Sequence, residues 1–172
     1  MRETSIQKQQ SRQVWSLVQQ ERGLVALAAM AIVGIGIATY LTIVHYAGAP
    51  LACSTTGLIN CAQVTSSAYS VIPGTQIPIT IPGMAWFLVN GILAAVGLAS
   101  AWQQRAEPRR LRAIQAGWAG LGLLVVLYLV YVEIVLIGRI CEWCTAVHLL
   151  TLATFLVTLG RLQGGQSEAL TP

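Results

Sequence analysis

The residues best equipped for chemistry are four cysteines, Cys53, Cys61, Cys141 and Cys144. Cys141-Glu142-Trp143-Cys144 forms a C-x-x-C. In a first helical turn two cysteines so spaced can close a disulfide, and the positive end of the helix dipole with its unpaired N–H groups favours their thiolates. A lowered thiol pKa gives a better leaving group and more thiolate attacker, so such a pair exchanges readily. Zinc sites use the same spacing, so spacing alone leaves both chemistries open. Cys53 and Cys61 are separated by STTGLIN; closing that ring constrains the unfolded loop by roughly 2.5 kcal/mol on the chain-entropy model, a modest tether. His148 stands at i+4 from Cys144 and i+7 from Cys141 and shares their helix face. There it can assist protonation or stabilise a thiolate, or serve as a hydrogen-bonded packing residue.

The elements that must hold these residues follow from composition. The 172-residue chain is 55% hydrophobic and 9% charged and contains no Asp, with mean hydropathy +0.67; soluble domains run about 25% charged. Between Gly23 and Gln104 there is no Asp, Glu, Lys or Arg. This excludes a nucleic-acid binder, a soluble oxidoreductase with its own nucleotide domain and a disordered tail protein. Since a membrane-spanning helix needs roughly 20 apolar residues, the expected fold is an all-α bundle of four transmembrane helices. The spans are expected at about 24–46, 81–102, 113–137 and 140–160, within a membrane domain of residues 23–161 flanked by an N-terminal segment 1–22 and a tail 162–172. Segment 1–22 is too long and polar for a signal-peptide n-region, so the first span is read as retained.

Nine of the ten cations precede the first span, fill the link between the second and third, or follow the fourth; only Arg139 stands on the other side. The positive-inside rule then predicts both termini in the cytoplasm of a multi-pass cell-membrane protein and all four cysteines outside, where disulfides form and persist. Asn60-Cys61-Ala62-Gln63 reads as a capping box, predicting a short helix in the outer loop from Cys61 to about Ser70. That uncharged loop, with Val64, Tyr69, Val71, Ile72, Ile77 and Ile79, is expected to lie on the membrane surface as a lid.

Two thiol pairs on one side suggest a relay: an external thiol pair reduces the loop disulfide, a loop thiolate attacks the C-x-x-C disulfide, and the C-x-x-C hands two electrons onward. A strongly oxidising partner sits near −120 mV and glutathione near −220 to −260 mV, so a glutathione-like sink lies uphill by about 100 mV, roughly 5 kcal/mol. A lipid-soluble quinone lies in the bilayer and takes two electrons and two protons. No dinucleotide-binding fingerprint offers another route.

The pattern Cys53-x7-Cys61, the following AQVTSS with Ser67 six after Cys61, and CEWC opening the last helix resemble the vitamin K epoxide reductase family in its bacterial disulfide-forming branch, across about residues 20–160. The order of the pairs is the specific part, since DsbB-like proteins carry their C-x-x-C in the first outer loop. The resemblance implies Cys53 and Cys61 as the shuttle pair, Cys141 as the receiver of electrons from the loop and Cys144 as the thiol nearest a quinone (ubiquinone or menaquinone). It also implies Ser67 as a hydrogen-bond donor near the active disulfide. His148 replaces the Tyr of vitamin-K-reducing members, and the run Ile79–Ile81 stands where they place an Asn; both departures point to quinone rather than epoxide reduction. Members often carry a fused thioredoxin-like domain, so the expected partner here is a separate extracytoplasmic thioredoxin-fold (DsbA-like) protein.

Among the remaining polar and aromatic residues, Glu133 lies in the last turns of the third span, either handling protons or reaching water at the interface. Glu142 and Trp143 are expected to tune the C-x-x-C at most, and Arg139 to pair with Glu142 or a lipid phosphate. Trp86 and Phe87 stand near the depth of a quinone pocket but also suit bundle filling, and Trp102 suits an interface anchor. A second class of function is a heavy-metal carrier using the four thiolates with His45 or His148; a third is a membrane scaffold.

Overall fold

The structure, a computed structural model, describes residues 2–103 and 107–167, with side chains described for 21–103 and 107–164. Arg105 of the basic link and the last five residues of the expected tail lie outside the described residues. Helix α1 covers Arg2–Ala47, α2 Cys61–Thr65, α3 Thr80–Trp102, α4 Arg109–Tyr131 and α5 Glu142–Ser167. A 3-10 turn, Ala68–Ser70, follows α2, and a π-helical turn, Val132–Ile137, continues α4. Four segments are long and apolar enough to span a membrane: Glu21–Ala47, Thr80–Trp102, Arg109–Ile137 and Glu142–Gly164. The fold is the expected four-helix membrane bundle.

The bundle is apolar outside and small inside. Ile32, Leu124 and Leu149 face outward, as side chains meeting lipid do, whereas the interior holds Ala31, Ala94 and Ala119 with Thr151, Thr154 and Thr158. Small residues let helix backbones approach where lipid tails remove any hydrophobic drive between helices. Each of those threonines returns its hydroxyl to a carbonyl of its own helix, so no hydrogen-bonding group is left facing hydrocarbon. Helix α1 packs chiefly on α3 and α4 on α5. A side chain at Gly34 would enter the Phe87 ring, and one at Gly122 the Trp86 indole. The two pairs of helices are further joined by reciprocal indole bonds, Trp86 to the Trp118 carbonyl at 3.1 Å and Trp118 to the Trp86 carbonyl at 3.3 Å.

The fourth span begins at Glu142 rather than Ile140. Gly138 takes a left-handed conformation, φ 68°, that stops the preceding π turn, and Ile140 is then taken into a parallel bridge with Ile59 of the outer loop. The loop helix is also shorter than the capping box suggested. Asn60 Oδ1 accepts the Gln63 amide at 3.0 Å, but the Gln63 side chain accepts Arg139 instead of reaching back. Helix α2 stops at Thr65 because the hydroxyls of Thr65 and Ser67 bond the carbonyls of Cys61 and Val64, competing with the amides that would extend it, and Ser67 is extended. Beyond the 3-10 turn, Val71 and Pro78 form a small antiparallel bridge, turned at Gly74 with φ 78°.

At the end of the bundle away from the cysteines, Glu107, just before α4, is 3% exposed. Its carboxylate meets Arg161 of α5 at 2.6 Å and Arg112 at 3.7 Å, while Arg161 also donates to Gln115 at 2.7 Å. Gly97 gives the cluster room, since a Cβ there would lie 2.9 Å from Glu107.

Candidate redox site

Four sulfurs converge at one end of the bundle. Cys53 and Cys61 are joined in a disulfide, and Cys141 and Cys144 are free thiols. Cys61 and Cys141 have no exposed surface, and with Val64 they form a single buried cluster against which Cys53, Cys144, Leu51, Ile137 and Trp143 pack. Main-chain bonds set this register. Asn60 N–H donates to the Ile140 carbonyl at 3.0 Å and Ile140 N–H to the Leu58 carbonyl at 2.9 Å. One residue beyond each of Asn60 and Ile140 stands a cysteine, so the bridge that delays α5 also seats Cys61 beside Cys141.

Cys141 precedes α5 as its cap. Its sulfur accepts the Cys144 amide at 3.3 Å, and its carbonyl accepts the Thr145 amide at 2.8 Å, the role an N-cap oxygen usually fills. The Cys144 thiol, followed by burial in the opposite sense and by that same amide, governs Cys141; the hydrogen bonds prevail and hold its thiol below the ordinary cysteine value.

The loop is fastened to the interior of the C-x-x-C. Glu142 accepts Ser54 Oγ–H at 2.5 Å and Ser54 N–H at 3.3 Å. The Trp143 indole donates to the Ala52 carbonyl at 2.8 Å, and the same ring packs on Tyr40 of α1 at 5.0 Å. Glu142 and Trp143 therefore grip both neighbours of Cys53, a much larger part than tuning. Arg139 departs from expectation as well, donating to Gln63 at 3.2 Å instead of to Glu142.

Beneath the cluster, Cys144 and His148 line two cavities. One, of about 80 Å³, is lined by Ser67 and Tyr69 of the loop and by Glu133. The other, of about 380 Å³, lies between α3 and α4 and is almost wholly apolar, with Trp86, Phe87 and Trp118 in its wall. Each residue singled out in the sequence can thus be placed. Trp86 and Phe87 line the larger cavity, Phe87 being nearly fully buried; Ser67 lines the smaller, its hydroxyl spent on the Val64 carbonyl at 2.7 Å rather than on a sulfur. Glu133 does not reach water. It is 6% exposed, within the π turn that continues α4, and lines the smaller cavity with Cys144. Trp102 is outward at 80% exposure, suited to an interface.

Sequence reasoning missed Ser54, which carries no motif and bonds a residue 88 positions away. Among the described residues, one group of three could hold a metal, Cys53, Cys61 and Glu142, and its two sulfurs are committed to the disulfide. The arrangement thus offers two adjacent dithiol/disulfide switches above an apolar chamber.

No individual curated protein matches the chain. A family profile does match it, over residues 25–159, which takes in all four cysteines and most of every span: the chain belongs to the vitamin K epoxide reductase family, membrane redox enzymes that act on disulfides through cysteines.

Proposed function

We propose that this protein reoxidises a separate extracytoplasmic thioredoxin-fold protein and passes the electrons to a membrane quinone, supporting disulfide formation outside the cytoplasm, with both termini inside. The observation that carries this reading is the single buried cluster that holds Cys61 against Cys141, with Cys144 of the same C-x-x-C lining an apolar chamber.

Each sulfur has a role suited to its burial. Cys53 is partly exposed and Cys61 fully buried, so a partner thiolate attacks Cys53 and releases Cys61 inside the cluster. The partner's second thiol then displaces Cys53, which leaves the partner oxidised and the loop pair reduced. Cys61 attacks the neighbouring Cys141 and expels Cys144 as a thiolate, and Cys53 attacks Cys61 in that mixed disulfide, which closes the loop pair again and leaves the C-x-x-C reduced. Cys141 is the receiving sulfur by position, since it shares one buried cluster with Cys61, and the bonds that stabilise its thiolate favour the reduced C-x-x-C once transfer is complete. With the loop pair joined and the C-x-x-C open, the structure corresponds to the arrangement that follows this transfer. Cys144 then faces the chamber, where a quinone accepts two electrons and two protons. His148, Trp86 and Phe87 shape that chamber, and Ser67 and Glu133 line the smaller cavity beside it with Cys144.

The test is direct. Purified protein given a reduced thioredoxin-fold protein and a short-chain ubiquinone consumes the quinone, and Cys144→Ser abolishes that consumption. Unchanged quinone absorbance together with tight mercury or zinc binding would instead support a metal carrier.

A further inference from the structure

Moving two electrons from the loop pair to the C-x-x-C also moves two protons. Each loop thiol must lose its proton before its sulfur can attack, because the thiolate is the nucleophile. The reduced loop pair lacks the device that serves Cys141: Cys61 is the first residue of a five-residue helix whose cap bond is made by Asn60, and no cation is bonded to it among the described residues, Arg139 being held by Gln63. Its activation needs another group.

We propose that Glu142 is the base that takes the protons of the loop thiols. A Glu142 carboxylate oxygen and the sulfurs of Cys53 and Cys61 all lie within 4.8 Å of one another, the span of one bridging water or a small side-chain shift. Ser54 donates to both carboxylate oxygens and so fixes the carboxylate beside the disulfide. Glu142 is itself exposed, so a proton taken from sulfur has a route to water. The titratable and charged groups facing it are few. From the loop come Cys53 and Cys61; from α1, the Tyr40 phenol beyond Trp143; from its own helix end, Cys141 and the Gln63-bound Arg139. Glu133 lines the smaller cavity with Cys144.

The sequence of bonds balances. Glu142 accepts the proton of the first loop thiol, and that thiolate attacks the Cys141–Cys144 disulfide, forming a mixed disulfide and expelling one C-x-x-C thiolate, which takes up a proton. Glu142, having released its proton to water, accepts the second. The second loop thiolate attacks its own partner's sulfur in the mixed disulfide, closing Cys53–Cys61 and freeing the other C-x-x-C sulfur to be protonated. The loop is oxidised by two electrons and the C-x-x-C reduced by two.

This inference rests on the proposed relay and is tested separately from it. Full-length protein in detergent micelles is reduced at the loop with a pulse of dithiothreitol, acid-quenched at intervals and alkylated with a maleimide of high mass, so that gel mobility reports each pair. Glu142→Gln keeps an oxygen for Ser54 but no base. It is expected to slow loop-to-helix transfer by ~10²-fold well below the ordinary thiol pKa of about 8.5, with the deficit vanishing above it. Ser54→Ala, which loosens the carboxylate and leaves the charge, lowers the rate without changing the shape of the pH profile. A Glu142→Gln rate reduced equally at every pH assigns Glu142 to structure alone and overturns the proposal, as does an unchanged profile. Absence of any loop-to-helix transfer in the unaltered protein would sink the relay itself.

Discussion

The two ends of this bundle both draw polar groups into its interior, and they do so by opposite means. At the far end, Glu107 is locked between Arg161 and Arg112 by charge, contacts that no redox event rearranges. At the sulfur end the loop is held by main-chain bonds to Ile140 and by side-chain bonds to Glu142, Trp143 and Arg139, and it carries within itself a disulfide that redox chemistry opens. A membrane redox enzyme whose outer loop carries a cleavable bond gains from an opposite end that does not move. Buried ion pairs seldom add much net stability, yet removing one partner is severe because the other charge is stranded. Geometry at the far end is therefore firmly specified, while the sulfur end stays adaptable.

Breaking each end separately tests this division, and the largest effect belongs to the sulfurs. Cys61→Ser is expected to end transfer from loop to C-x-x-C altogether and, by opening the loop ring, to lower stability by roughly 2.5 kcal/mol, read by thermal unfolding in micelles. Next is Glu107→Ala, expected to lower stability by about 3–5 kcal/mol in denaturant titration while the turnover of each molecule still folded is retained. If that variant lost turnover with its stability intact, the two ends would not be independent.

A finer probe concerns Cys141. With the loop disulfide left closed, the ultraviolet absorbance of its thiolate titrates below the ordinary cysteine range, and Cys144→Ala moves that titration upward, since the Cys144 thiol is its main stabiliser. The sign carries into stability: a depressed thiol pKa stabilises the open C-x-x-C at pH above the ordinary value, and that contribution is lost as pH falls through the depressed one. The smallest effect is that of Trp143→Phe. It deletes one hydrogen bond worth about 0.5–1.5 kcal/mol, and proteolysis of the loop should quicken by the corresponding few-fold.

Much of this was legible in the sequence because it is local or compositional. The spans follow from apolar runs that lipid requires, and the cysteine spacing alone set out two pairs. What escaped reading was contact between distant segments. Ser54 is an ordinary polar residue until the fold brings Glu142 to it. Glu133 looked able to reach water from its place near the outer interface, but packing buries it to 6% exposure. Glu107 was hidden among link charges read only for their sidedness, and the late start of α5 depended on a bridge to residue Ile59.

Complete enclosure of Cys61 and Cys141 has a consequence for the company this protein keeps. Small thiols dissolved in the surroundings meet the partly exposed Cys53 before they can meet Cys61 or Cys141. Cys141, the inner sulfur of the buried cluster, is thereby screened from reductants that drift past.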